Sequence, residues 1–276
     1  ALHNPDRRQR QMCIRDRVYC WRGGQRSNSL ALILAQVGWR TMVLKGGYKT
    51  YRRAVQKRIY EEDLGLRLVL LDGGTGNGKT EVLARAGKLG AQVIDLEGLA
   101  KHRGSLFGAL ENEPQPSQKM FETLLLHAAD GMDPTRPVLV EAESSRIGNR
   151  SIPPSFWTAM RAVPRIEIKA PLAARAEFLV GAYPELLEDC EKLSSVLSRL
   201  EVYPGRKRLE NWRQLADEGR FTDLASEVVE LHYDPAYDRS RKRDERPLIR
   251  TVEIEMLDEA SLEAAAAEVC ALLEGL

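Results

Sequence analysis

The sequence has little cysteine. Cys13, Cys20, Cys190 and Cys270 are the only four in 276 residues, and no two form a CxxC pair. That spacing excludes a zinc ribbon and offers no disulfide framework, so a reducing, cytoplasmic setting is expected. Aromatic residues make up only 6%. No apolar run approaches the ~20 residues of a membrane-spanning helix, so no membrane partner is expected. Charge of one sign is lacking too: 41 Lys and Arg stand against 40 Asp and Glu. A formal +1 by itself argues against a strongly basic nucleic-acid binder. The first 17 residues lack the apolar core of a secretory signal and show neither helical nor strand period. Their string QMCIRDR resembles a translated sequencing adapter, and 1–17 are expected to be a disordered or artefactual tail.

The even total hides a division. Residues 1–60 carry 14 basic and 2 acidic side chains, whereas 61–276 carry 27 and 38. Within 18–60 there are nine basic residues and no acidic one, which calls for an anionic partner such as RNA, DNA or a membrane surface.

From residue 18 onward, short β-rich runs alternate with helical patterns. Strands are expected at 41–44, 66–71, 92–94, 138–140, 165–168 and 248–254. Helices are expected at 27–37, 79–89, 117–129, 171–180, 185–200, 209–218, 223–233 and 261–273. This alternation specifies an α/β fold, a parallel sheet with helices on both faces. LRLVLL (66–71) fits a strand buried on both sides. Stretches 104–116 and 234–246 break the pattern and read as ordered loops or lids.

The strongest local signal is Gly73-Gly74-Thr75-Gly76-Asn77-Gly78-Lys79-Thr80, a full match to GxxxxGK[ST] between an apolar strand and a helix. Glycines there let successive backbone N–H groups curl around a phosphate at the positive end of the following helix. Lys79 adds charge on the phosphates, and Thr80 offers a hydroxyl to Mg2+. The P-loop domain is assigned to 61–276. A metal acid is expected at the carboxyl end of another strand, with Glu141 first and Asp95, Glu97 and Glu143 as candidates.

A second loop, Cys20-Trp21-Arg22-Gly23-Gly24-Gln25-Arg26-Ser27, sets a cysteine six residues before an arginine at a helix start. Backbone N–H groups, the helix N-terminus and Arg26 then converge on one spot, to lower the thiol pKa or hold an anion bound to sulfur. Sulfur or selenium transfer and phosphate-ester hydrolysis share this geometry. Tyr19 stands where phosphatases place a histidine, which tilts the choice toward chalcogen transfer. Residues 18–60 are short for an independent core and read as the C-terminal remnant of a partial rhodanese-like α/β module.

Several strings agree with this pairing: YCWRGGQRS (19–27), LKGGYKTYR (44–52), GGTGNGKTE (73–81), VIDLEGLAKHRGSLFG (93–108), QPSQKMFE (115–122), VEAESSRIG (140–148) and HYDPAYDRS (232–240). Through them the chain resembles the bacterial tRNA 2-selenouridine synthase family over 18 to about 250. The resemblance implies replacement of sulfur by selenium in 2-thiouridine at the tRNA wobble position, with selenophosphate as donor, after S-geranylation from geranyl diphosphate. It implies that Cys20 is the rhodanese cysteine of the selenium step and that Gly78, Lys79 and Thr80 hold a diphosphate. It also places His102, Arg103 and Ser105 in a family motif lining that site. The expected truncation of the rhodanese part sets the selenium step apart from geranylation, which is expected to survive if it belongs to the P-loop domain.

Expected RNA contacts are Arg52, Arg53, Lys57 and Arg58, at helical spacing with no acid nearby, together with Arg206, Lys207, Arg208, Arg241, Lys242 and Arg243. Tyr48, Tyr51 and Tyr237 are candidates for stacking on an unpaired base. Two rival readings stay open, a small-molecule kinase or NTPase and a tRNA-binding fragment without turnover.

Overall fold

The computed structural model describes residues 15–21, 24–103, 114–198 and 205–276, in two units, Ala1–Asp63 and Leu64–Leu276. In the first unit, β1 (Arg15–Val18), α1 (Gln25–Gln36), β2 (Arg40–Val43) and α2 (Gly47–Glu61) follow one another, and β1 pairs with β2 in parallel. The strand therefore begins at Arg15, inside the stretch expected to stand apart from the fold. Helix α2 was absent from the expected elements, for a physical reason. Its inward positions are Gly47, Arg52, Val55 and Ile59, so a charged residue interrupts the apolar stripe. Gly47 has φ +62°, and a Cβ there would come 2.1 Å from the carbonyl oxygen of Cys20. The N-terminus of α2 thus packs directly on the cysteine loop, with Tyr48 N–H donating to that same oxygen at 3.0 Å.

The second unit is built on a five-stranded, wholly parallel sheet. In chain order it runs β3 (Arg67–Asp72), α3 (Lys79–Lys88), β4 (Gln92–Ile94), α4 (Leu96–Ala100), α5 (Gln118–Asp130) and β5 (Pro137–Glu141). A small hairpin, β6 (Arg146–Ile147) and β7 (Arg150–Ser151), leads to α6 (Pro154–Arg161) and β8 (Arg165–Lys169). Helices α7 (Leu172–Ala182), α8 (Pro184–Leu187), α9 (Cys190–Ser198), α10 (Arg206–Asp217) and α11 (Phe221–Val228) follow. A π-helical turn, Val229–Tyr233, joins α11 to α12 (Asp234–Arg241), and β9 (Leu248–Glu253) and α13 (Glu259–Glu274) end the chain.

Strand order is β4-β5-β3-β8-β9. After β3 the chain moves to one side for β4 and β5, then to the other for β8 and β9, so the order reverses beside β3. Ligands of open α/β sheets bind at such a switch point. Helices cover both faces, as expected. Val69, Leu71, Leu139, Ile166 and Ile168 pack with α3 and α13 residues, including Val82, Leu83, Leu262 and Val269. Leu68, Leu70, Val138 and Val140 alternate onto the opposite face and are equally buried. Burial of each such side chain contributes about 1.5 to 3 kcal/mol, which makes the apolar strands the anchor of the site.

Two expectations are corrected in this unit. The stretch 185–200 is two helices broken near Asp189, not one. Residues 234–246, expected as a loop, contain α12, whose Asp234-Pro235 start suits a first helical turn. The segment is held by a buried ionic network: Arg165 lies 3.6 Å from Asp72 and 3.4 Å from Asp244, and Arg241 pairs with Glu167. Most of 104–116 lies outside the described residues.

Candidate active site

The carboxyl end of β3 delivers Asp72 and then the glycine loop. Gly73 has φ +146°, and a Cβ there would come 2.4 Å from the carbonyl oxygen of Ile168, so the loop begins pressed against β8. Asp72 Oδ1 accepts from Gly73 N–H at 2.8 Å. Gly78 caps α3 with φ +71°, and a Cβ there would meet Leu262 at 2.9 Å. Lys79 Nζ donates to the carbonyl oxygens of Gly73 at 2.7 Å and Gly74 at 3.3 Å, so its charge sits in the mouth of the loop. Asn77, at a position the motif leaves free, is 4% exposed. Its Oδ1 accepts from Ala170 N–H at 2.7 Å and its Nδ2 donates to Gly74 O at 3.1 Å. The side chain is a brace tying the loop to the end of β8, not an open ligand contact.

Four carboxylates gather at the lysine. The β3–β5 register sets Glu141 beside Leu71, so the two strands end level. Thr80 Oγ1 donates to Glu97 at 3.1 Å, and Glu97 N–H donates to Glu141 at 3.4 Å. Burial and the neighbouring Glu141 and Glu143 push Glu97 up to about 9, while burial with Asp95 and Glu143 pushes Glu141 up to about 8. Glu143 is raised as well, chiefly by burial. Asp95 is committed to capping α4, accepting from Gly98 N–H at 2.7 Å. The second oxygen of Glu141 is buried without a hydrogen-bond partner among the described residues. A buried, unpartnered carboxylate oxygen next to the loop threonine fits Mg2+, which takes few protein ligands and completes its shell with phosphate oxygens and water. Among the described residues no group of three or more His, Cys, Asp or Glu forms a self-sufficient metal cluster.

A cleft of about 580 Å3 opens over the loop, lined by residues 75–81, Glu97, Arg103, Glu143 and part of α7. Arg103 lines it, donating to Ala182 O and lying 4.9 Å over the Tyr183 ring. His102 does not line it. Its ring stands against Gly148, where a Cβ would come 2.6 Å from Cδ2, and burial holds its pKa down. Ser105 lies outside the described residues. Adjoining the cleft is an apolar cavity of about 80 Å3 that shares Thr75, Leu179, Tyr183 and Tyr233 with it. Arg175 was not singled out by the sequence. It is 7% exposed, donates through Nε and Nη2 to Thr75 O at 2.9 and 2.7 Å, and pairs with Asp234 at 2.6 Å.

In the first unit, Ser27 Oγ donates to Cys20 Sγ at 3.5 Å at the head of α1. Arg26 is exposed, and Arg22 and Gly23 lie outside the described residues. Gly24, with φ +94°, caps α1. Of the expected RNA contacts, Arg52 is corrected: it is turned inward on α2 and 8% exposed. Lys57 and Arg58 each lie 3.4 Å from Glu62, so the premise that no acid is nearby does not hold for them. Arg53, Lys207 and Arg208 are exposed, as are Lys242 and Arg243, while the side chain of Arg206 lies outside the described set. Arg241 is committed to Glu167. Tyr48 already stacks on Trp21, with centroids 4.7 Å apart, and Tyr237 donates to Glu167 at 3.4 Å, its pKa raised chiefly by burial.

Among the described residues no helix is long and apolar enough to cross a membrane. A family model described as the tRNA 2-selenouridine synthase AAA domain matches residues 66–202. A tRNA 2-selenouridine synthase of Bdellovibrio bacteriovorus is 40% identical over 169 residues, 60% of this chain and 44% of the relative. One from Alcanivorax borkumensis is 32% identical over 249 residues, 80% of this chain and 67% of the relative. The chain thus spans less than half the length of the first and two thirds of the second. Among solved structures, TT1252 from Thermus thermophilus aligns with TM-score 0.36 at 17% identity, over 76% of this chain and 98% of that one. Shikimate kinase from Bacteroides thetaiotaomicron gives 0.33 at 16%, over 75% and 98%.

Proposed function

The chain belongs to the tRNA 2-selenouridine synthase family, and on that premise we propose that its second unit transfers a geranyl group from geranyl diphosphate to 2-thiouridine at the wobble position of a tRNA. The observation that carries this reading is the apolar cavity beside the phosphate loop. Its walls include Leu186, Leu193, Leu197, Phe221 and Leu224, which suit part of a hydrocarbon tail, and Thr75, Tyr183 and Tyr233 line it where it meets the cleft. The diphosphate lies in the loop, on the backbone N–H groups that open α3 and on Lys79, which exchanges its carbonyl partners for phosphate oxygens. The uridine sulfur attacks the allylic carbon: the C–S bond forms as the C–O bond breaks, diphosphate leaves with the electron pair, and the thiouridine N3 proton is released. Thr80 and Glu141 are the residues to hold Mg2+, which when bound supplies charge neutralisation for the leaving diphosphate. Replacement of that sulfur by selenium from selenophosphate falls to Cys20, with Arg26 and the head of α1 as its anion-binding surroundings.

The test is incubation of the full chain with a thiolated tRNA and geranyl diphosphate, read as a mass gain on the uridine. The gain is expected with the natural chain and lost with Lys79→Ala. Tight ATP binding without affinity for geranyl diphosphate would sink this reading in favour of a kinase or NTPase.

A further inference from the structure

A second cleft opens at the carboxyl end of the sheet, about 880 Å3 in volume, between the segment after β5, helix α6 and the end of α12. It begins at Asp72, the residue before the phosphate loop, and shares Glu143 with the phosphate cleft, so the two are neighbours across one side chain. We propose that this cleft seats the acceptor RNA strand, with the base to be modified stacked on Trp157 and the flanking phosphates on Arg161, Arg239 and Arg243. The inference rests on the RNA-modifying reading above and assigns the place of its acceptor.

The side chains divide by what they are already doing. Arg165, Arg241 and Arg246 line or underlie the cleft but are consumed by Asp72, Glu167 and Asp244, the last at 2.6 Å from Arg246. That network fixes the floor. Arg161, Arg239 and Arg243 make no ion pair or hydrogen bond among the described residues, and all three are exposed. Two carboxylates line the same cleft, Glu245 and, at the border, Glu143, which is engaged with Lys79 and Glu97 of the phosphate site. Trp157 is half-buried, has no ring partner among the described residues, and lines the same space. An indole in one cleft with free guanidiniums is the combination that stacks a splayed base and holds its phosphates. The wall is also built rather than loose. Helix α12 is tied at its start by Asp234 to Arg175, and through Arg175 to Thr75 of the phosphate loop, and at its end by Arg241 to Glu167.

The experiment uses the full chain and a labelled anticodon stem-loop containing 2-thiouridine, with fluorescence anisotropy followed across a salt series. Replacing Arg161, Arg239 and Arg243 together by Ala is expected to weaken RNA binding about tenfold or more and to reduce the log–log salt slope by about 2, three single-strand phosphate contacts at ~0.7 each. Trp157→Leu is expected to weaken binding about 5- to 150-fold, the range that loss of one base–aromatic stack gives, with Trp157→Phe restoring most of it. Binding of inorganic pyrophosphate is the control for folding and stays at the natural value in all of these variants. Lys79→Ala shows the reverse pattern, losing pyrophosphate and keeping RNA. If the natural chain binds the stem-loop and both the triple variant and Trp157→Leu bind it equally well, the cleft assignment falls while the RNA-modifying reading stands. If the triple variant loses a poly-glutamate peptide but not RNA, the cleft serves an acidic protein and the assignment also falls. If the natural chain binds pyrophosphate but no RNA, both fall together.

Discussion

Asn77→Ala tests whether the phosphate loop is shaped by its own glycines or by a brace from the sheet. The side chain makes two buried hydrogen bonds, from Ala170 N–H at 2.7 Å and to Gly74 O at 3.1 Å. Removing it affects the two partners unequally. Gly74 O keeps Lys79 Nζ at 3.3 Å, so only the net worth of one bond is lost there, about 0.5 to 1.5 kcal/mol. Ala170 N–H is left buried and unpaired, which costs about 1 to 3 kcal/mol. Together these give about 1.5 to 4.5 kcal/mol, which for a unit of roughly 200 residues lowers Tm by about 3 to 18 °C. Asn77→Asp separates the two bonds, since a carboxylate still accepts from Ala170 but turns a second acceptor toward Gly74 O. It is expected to recover part of the stability and none of the phosphate affinity. Differential scanning calorimetry with and without pyrophosphate reads both quantities. A Tm for Asn77→Ala within about 1 °C of the natural chain, together with unchanged pyrophosphate affinity, would refute the brace.

The sheet was legible because its central strands β3 and β5 are nearly continuous apolar runs, and 92–94 and 165–168 lie where the sequence places them to within a residue. The phosphate loop was legible because glycine chemistry leaves few alternatives. What was hidden depends on side chains that break a local rule to satisfy a distant one. Arg52 takes an inward position on α2 and so erases the apolar period that marks a helix. Residues 234–246 look like a solvated charged loop because the groups that neutralise Arg241 and Asp244, Glu167 and Arg165, come from a strand far away in the chain. Asn77 and Arg175 carry no sequence signal at all, since one fills a free motif position and the other sits in an ordinary helical stretch. Glu141 was recoverable, because an acid immediately after an apolar parallel strand lands at the binding edge of the sheet. Asp95 occupies a similar place in the sequence yet is spent on a helix cap, a competition that strand-end position alone does not reveal.

Two further outcomes are expected. Arg175 joins Thr75 of the phosphate loop to Asp234 at the head of α12, and Lys has no fork to make both contacts. Arg175→Lys is therefore expected to weaken pyrophosphate and RNA binding together, and a double-mutant cycle with Asp234→Asn to show a coupling of about 1 to 3 kcal/mol, against the ~0.5 kcal/mol or less of independent sites. The acids give the pH dependence. Glu97 and Glu141 are raised to about 9 and 8 from an ordinary 4.5, so folding favours their protonated forms. The stability they contribute is complete below about pH 4.5 and is lost as pH rises through the folded values of 8 to 9. With EDTA present, Tm is thus expected to fall between pH 6 and 9. Glu141→Gln flattens that fall, because an amide keeps the shape without acquiring the charge. Mg2+ acts in the opposite direction, binding the ionised carboxylates, so its stabilising effect grows over the same interval and is accompanied by proton release. A Tm that rises with pH in EDTA, or a Glu141→Gln profile parallel to the natural one, would show that these carboxylates are already ionised in the folded chain and that some other group neutralises them.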